Sequence, residues 1–71
     1  MHVIPKTGRE AIRVQMAEFR GARYLDVRIW ADTGAGDPKP TRQGVTVPLA
    51  AISTFAAAVA DVAGEARQMA E

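Results

Sequence analysis

The sequence predicts an α+β domain in which strands come first and one helix closes the chain. Three observations carry that reading. Apolar residues alternate with polar ones through Ile12, Val14 and Met16, and again through Leu25, Val27 and Ile29, which is the two-residue period of half-buried strands. A single short link, Arg20-Gly21-Ala22, joins the two runs, as an antiparallel hairpin requires. From about Leu49 the period changes: Leu49, Ile52, Phe55, Val59, Val62, Ala66 and Met69 recur every three or four residues, forming one stripe of an amphipathic helix.

Taken in order, His2-Val3-Ile4-Pro5 reads as a short strand whose proline confines it to a sheet edge or an extended arm. The first hairpin strand runs from Ala11 to about Phe19, and the second carries Tyr24, Asp26, Arg28 and Trp30 on the face opposite its apolar residues. Asp32 to Pro40 is dense in turn formers, so it ends the second strand in a flexible loop. Within it, Gly34-Ala35-Gly36 lacks the third glycine and the following helix of a dinucleotide loop and is read as a turn. Val45, Val47 and Leu49 then alternate around Thr46 and Pro48, a short strand suited to an edge or a strand end. A helix of about twenty residues is about 30 Å long, more than a small sheet needs as cover, so part of its stripe is expected to meet another chain. Gly64 costs up to about 1 kcal/mol in a helix interior, and a bend or fraying is expected there. The helix should cover one face of the sheet and leave the other open.

Length and composition bound the function. A chain of 71 residues is one domain, residues 1–71, and buries only about 60% of its unfolded surface. There is no cysteine and a single histidine, His2, so disulfides, thiolate chemistry and multi-histidine metal sites are excluded. Oligomerisation is the remaining way to supplement the core, and a homodimer is expected. The net charge of +1 hides an asymmetry: eight cations face five acids up to Val45, whereas one faces three from Thr46 onward. Seven of the nine cations are arginine, whose planar fork suits phosphates and stacking. The run Ala50–Ala63, interrupted by Asp61, reads as too short and too weakly apolar to cross a bilayer, and no leader pattern opens the chain; a cytoplasmic protein without a membrane partner is expected. Carboxylates are scattered and no nucleophile has a base partner, so neither an enzyme nor a cofactor is expected. Asp32 and Asp37 beside Gly and Pro read as turn formers rather than a metal pair.

With the apolar positions turned toward the helix, the other face of the hairpin displays Arg13, Gln15, Phe19, Tyr24, Asp26, Arg28 and Trp30. Aromatic platforms beside arginines are what sequence-tolerant binding of single-stranded nucleic acid uses, at about 1–3 kcal/mol per stacked base. Each residue also has a plainer role. Trp30 and Phe19 fit a dimer interface, Arg28 lies two residues from Asp26 and fits a surface ion pair, and Tyr24 fits packing. Lys39 and Arg42 fit solvated loop cations.

Ile12-Arg13-Val14-Gln15, Glu18-Phe19-Arg20-Gly21, Tyr24-Leu25-Asp26-Val27-Arg28-Ile29-Trp30 and Pro40-Thr41-Arg42-Gln43-Gly44-Val45-Thr46-Val47-Pro48-Leu49, in that order, resemble the single-stranded-DNA-binding domain of the transcriptional positive cofactor four family, in its compact prokaryotic form. The resemblance spans about Ile4 to the terminal helix. It implies a curved four-stranded antiparallel sheet followed by one kinked helix, dimerising so that paired grooves take single strands. It also implies a homodimer that binds single-stranded or melted DNA with little sequence preference and modulates transcription, replication or repair near the nucleoid. By position, Phe19 and Arg20 at the hairpin, Arg28 and Trp30 on the third strand, and Arg42 and Gln43 before the fourth match the family's contacts. With Arg13, Gln15, Arg23 and Lys39 they make up the expected nucleic-acid contacts. Ala22, Ala31 and Gln43 depart from the family pattern, each removing a platform or a cation. Single-stranded RNA, the transcription machinery and a peptide bound by the aromatic face are the alternative partners.

Overall fold

The computed structural model of the chain describes residues 1–34 and 36–70; Ala35, inside the expected turn, and Glu71 lie outside the described residues. Four strands, β1 (His2–Pro5), β2 (Glu10–Phe19), β3 (Ala22–Ala31) and β4 (Lys39–Pro48), form an antiparallel meander in the order β1-β2-β3-β4. A single 3-10 turn, Leu49–Ala51, leads into helix α1 (Ile52–Met69). This is the α+β order that the change of hydrophobic period predicts.

The hairpin is tighter than its sequence link suggests. Phe19 pairs with Ala22, so the loop is Arg20-Gly21 alone, and both residues have positive φ, 53° and 82°. Two-residue hairpins favour such turns because their twist matches that of the strands. Glycine adopts the conformation freely, whereas Arg20 holds it at a cost of order 1 kcal/mol.

β4 departs from the sequence reading, which began it near Val45; it starts at Lys39. Pro40 and Pro48 are compatible because β4 is an edge of the meander, where a missing N–H need not break a ladder. The register shifts between the Arg28–Gly44 and Trp30–Pro40 pairs, placing Thr41 to Gln43 in an irregularity of the strand. Thr41 holds it in place: its hydroxyl donates to the Ile29 carbonyl at 2.8 Å, and its own carbonyl accepts from Arg28 Nη1 at 3.0 Å. The loop between β1 and β2 is likewise tied down, with the Arg9 carbonyl accepting from the Asp32 amide at 2.8 Å.

The register puts Ile4, Ile12, Val14, Met16, Leu25, Val27, Ile29, Val45 and Val47 on one face. The helix does not cover this face as expected. The 3-10 turn meets β3 and α1 meets the end of β4, where Val47 is buried at 6% exposure; Ile4, Met16 and Val45 are about half exposed. α1 runs unbroken through Gly64 to Met69, and Val59 and Val62 on its stripe stand open. The physical reason is reach: the short connection lets only the first turns of the helix lie over the sheet. The radius of gyration is 14.2 Å, against about 11 Å for a compact chain of this length. The accessible surface is 5729 Å², about 1,400 Å² more than a folded monomer of this mass presents.

Leu49–Met69 is a 21-residue helical run with a mean hydropathy of 1.4 and no buried residues, so it meets the length and composition of a bilayer span that the shorter window Ala50–Ala63 did not. Its apolarity comes largely from alanine, however, and Asp61 sits near its middle, where a charge costs about 2.5–3.5 kcal/mol in a membrane.

Candidate nucleic-acid interface

The opposite face of the sheet is built by the same register. Arg13 faces Arg28, Gln15 faces Asp26, Ala17 faces Tyr24, Ala11 faces Trp30 and Phe19 faces Ala22; Thr46 and Gly44 continue the face across β4. Five of the expected contacts, Arg13, Gln15, Phe19, Arg28 and Trp30, therefore share one surface, with Arg20 at the tip of its hairpin.

Two arginines directly opposite one another repel, and the structure separates their charges. Arg28 turns to Asp26, donating from Nη2 at 3.1 Å and from Nε at 3.2 Å to the same carboxylate oxygen, and bonds Thr41 through Nη1. Asp26 is buried at 8% exposure, so this pair is well shielded. Arg28 thereby fills the ion-pair role and braces β4, leaving two of its five N–H groups for a ligand. Arg13 turns the other way and lays its guanidinium over the Trp30 indole, 4.0 Å from the ring centre. Such a contact contributes about 0.5–2 kcal/mol, more when desolvated. Arg13 Nε and Trp30 Nε1 are both buried without hydrogen-bond partners, each at a cost of about 1–3 kcal/mol. The two penalties together, about 2–6 kcal/mol, exceed an attraction of about 0.5–2 kcal/mol, so the stack alone does not hold the pair closed.

A second arginine–aromatic pair marks the far end of the face. Phe19 is 63% exposed, and the Arg20 guanidinium lies 5.1 Å from its ring centre. The six steps along β2 from position 13 to position 19 set the two pairs about 20 Å apart. Beside Trp30 and Arg13 an open cleft of about 250 Å³ is lined by Val3, Pro5, Thr7, Arg9 and Pro38 among others.

The remaining expected contacts stand elsewhere. Arg23 pairs with Glu18 in register on the face of Leu25 and lines a cleft with Met16 and Leu49, away from the aromatic platforms. Lys39 lies opposite Ala31 and is exposed, as is Arg42. Gln43 borders a groove with Ile12, Val27 and Val45, on the apolar side. Asp32 accepts the Gly34 amide at 2.8 Å, the local bond of a turn former. Among the described residues no group of three or more His, Asp or Glu lies close enough to share a metal ion. Sequence reasoning missed Thr41 and the Arg13–Trp30 stack. The stack was accessible in principle, since the two-residue turn fixes the register and makes Trp30 the diagonal neighbour of Arg13.

Residues 7–58 match the model of the transcriptional coactivator p15 (PC4) family. The chain belongs to the PC4 family. Its fold is similar to the crystal structure of a PC4 homologue from Burkholderia pseudomallei, with a TM-score of 0.80 and 27% identity over 89% of this chain and 93% of that one. It is also similar to the bacteriophage T5 homologue of the eukaryotic coactivator PC4, described as implicated in recombination-dependent DNA replication, with a TM-score of 0.72 and 26% identity over 93% of this chain and 77% of the phage protein. No curated protein sequence matches it. The order and type of elements expected from the resemblance thus agree with solved members of the family from a bacterium and a phage.

Proposed function

We propose that this PC4-family chain is a homodimer that binds single-stranded or locally melted DNA with little sequence preference and so modulates transcription, replication or repair. The observation that carries the reading is the open sheet face with an arginine–aromatic pair at each end, Arg13 with Trp30 and Arg20 with Phe19. Unpaired bases stack on the rings, while arginines neutralise phosphates. Duplex is disfavoured because its bases are already stacked on one another. Arg20 and Arg42, exposed and free of acidic partners among the described residues, supply the phosphate contacts, and Arg28 supplies rigidity.

Dimerisation supports the same reading. The surplus of about 1,400 Å² per chain, about 2,800 Å² for two copies, falls in the range that obligate homodimers bury, and it coincides with open apolar surface on the sheet and on Val59 and Val62 of α1. A second copy covering that surface accounts for an apolar helix without a membrane, in a protein of the cytoplasm and nucleoid.

The test is a titration with labelled oligothymidine and a matching duplex at several salt concentrations, following anisotropy and the fluorescence of Trp30, the one tryptophan. Preference for the single strand, a change in tryptophan emission and a negative salt slope are expected. Absence of binding even at low salt overturns the proposal and makes the aromatic face a protein-docking surface. Tighter binding of an equivalent RNA strand would reassign the ligand.

A further inference from the structure

We propose that Trp30 and Arg13 read the base next to the one stacked on the indole: their Nε donors recognise a carbonyl oxygen on that neighbour's edge, biasing the groove toward carbonyl-rich bases such as thymine and against adenine. This rests on the single-strand reading above and adds a chemical preference to it.

The inference starts from two orphaned donors. Trp30 Nε1 and Arg13 Nε are both buried and both lack an acceptor, whereas buried polar groups in folded proteins are almost always paired. They occur together, in side chains stacked 4.0 Å apart, and both side chains line the cleft beside the open face. An indole N–H only donates, and so does a guanidinium. The missing partner is therefore an acceptor. Nε1–H points outward in the plane of the indole, so a base stacked on the ring face cannot accept from it; the acceptor is the edge of the neighbouring base, brought into the plane of the ring beside the stacked one. Thymine presents two carbonyl oxygens and guanine one, whereas adenine carries none and offers an exocyclic amine that would face two donors. Arg13 is a flexible side chain, and its guanidinium can leave the indole without disturbing the β2–β3 ladder.

A phosphate oxygen is the other acceptor that a DNA strand supplies, and it predicts no difference among bases. The experiment separates the two. Dissociation constants are measured by anisotropy for oligothymidine, oligoadenosine and an abasic strand of equal length, with the parent and with Trp30→Phe, which keeps an aromatic platform and removes the indole N–H. The self-stacking of oligoadenosine belongs to the ligand and cancels when the adenosine-to-thymidine ratio of the parent is divided by that of the variant. That quotient is expected to be about fivefold or more, the worth of one hydrogen bond. Pure stacking predicts the opposite sign, because the larger purine loses more overlap on the smaller ring. Arg13→Met, which keeps an apolar stem beside the indole, provides a second variant and should also narrow the ratio. Thermal melting establishes that each variant is folded.

An unchanged ratio in both variants overturns the proposal, as does an equal loss of affinity for all three strands, which would assign the donors to phosphate. Failure of the parent to bind any strand at low salt overturns the single-strand reading as well, so the two failures are told apart.

Discussion

Gly44→Ala should destabilise the domain through the backbone alone. A Cβ built at Gly44 would lie 2.7 Å from the Val27 carbonyl oxygen, 2.9 Å from Arg28 Cα and 3.0 Å from Arg28 Cβ, where ordinary contact begins at 3.4 Å. None of these atoms is the free end of a flexible side chain, so β3 and β4 must part by several tenths of an ångström. The parting falls on the Arg28–Gly44 pair, beside the bonds by which Thr41 holds the strand irregularity to Arg28 and Ile29. Overpacking of this kind costs about 1–3 kcal/mol, partly offset by the smaller unfolded-state entropy of alanine, about 0.4–1 kcal/mol. A net loss of about 1–2 kcal/mol should lower the melting temperature of so small a domain by about 5–15 °C. Gly8→Ala is the matched control, because nothing lies within 4 Å of its added Cβ; its effect should stay within about 0.5 kcal/mol. Thermal unfolding followed by circular dichroism, with all proteins at one protomer concentration, reads both. If Gly44→Ala melts with Gly8→Ala, the close approach of β3 and β4 is not a constraint on the fold and the argument fails.

Other predictions address the interface. Trp30→Ala should weaken oligothymidine binding by about 1–3 kcal/mol while leaving the salt slope unchanged; equal binding would remove the stacking role. Arg28→Ala should act chiefly on stability, by about 1–3 kcal/mol, because it strands buried Asp26, whereas Arg42→Ala should flatten the salt slope by about 0.7 and leave the melt unchanged. A reversal of these two phenotypes would restore Arg28 as the phosphate contact. Arg20→Gly relieves a positive φ, a gain of about 1 kcal/mol, against about 0.4–1 kcal/mol of added unfolded-state entropy, so stability should rise by no more than about 0.6 kcal/mol while DNA binding weakens, as melts and titrations on one preparation will show. Val62→Asp places a charge on the open helix stripe and should shift sedimentation from dimer to monomer, with no change expected if α1 lies outside the interface.

The order of four strands and then one helix, the hairpin and the sidedness of its residues were legible in the amino-acid sequence because each rests on local physics. A two-residue period sorts side chains between faces, and a short Gly-containing link closes the strands. Once those are set, the grouping of Arg13, Gln15, Phe19, Arg28 and Trp30 follows without further information. β4 was legible only in part: Pro40 and Gly44 read as loop signals until pairing with β3 places one on an edge and the other at a close approach. The roles of the arginines were legible only in part: the spacing of Arg28 and Asp26 on one face offered their ion pair beside a nucleic-acid role, whereas nothing local pointed Arg13 at Trp30. Arg13 and Arg28 occupy equivalent positions in the pattern, yet one stacks on Trp30 and the other pairs with Asp26, because cross-strand proximity forces their charges apart and each takes the partner within reach. The sequence pattern likewise shows an apolar stripe without saying what it covers. Only the tertiary arrangement leaves it largely open, since the short turn after β4 carries α1 beyond the sheet it was expected to shield.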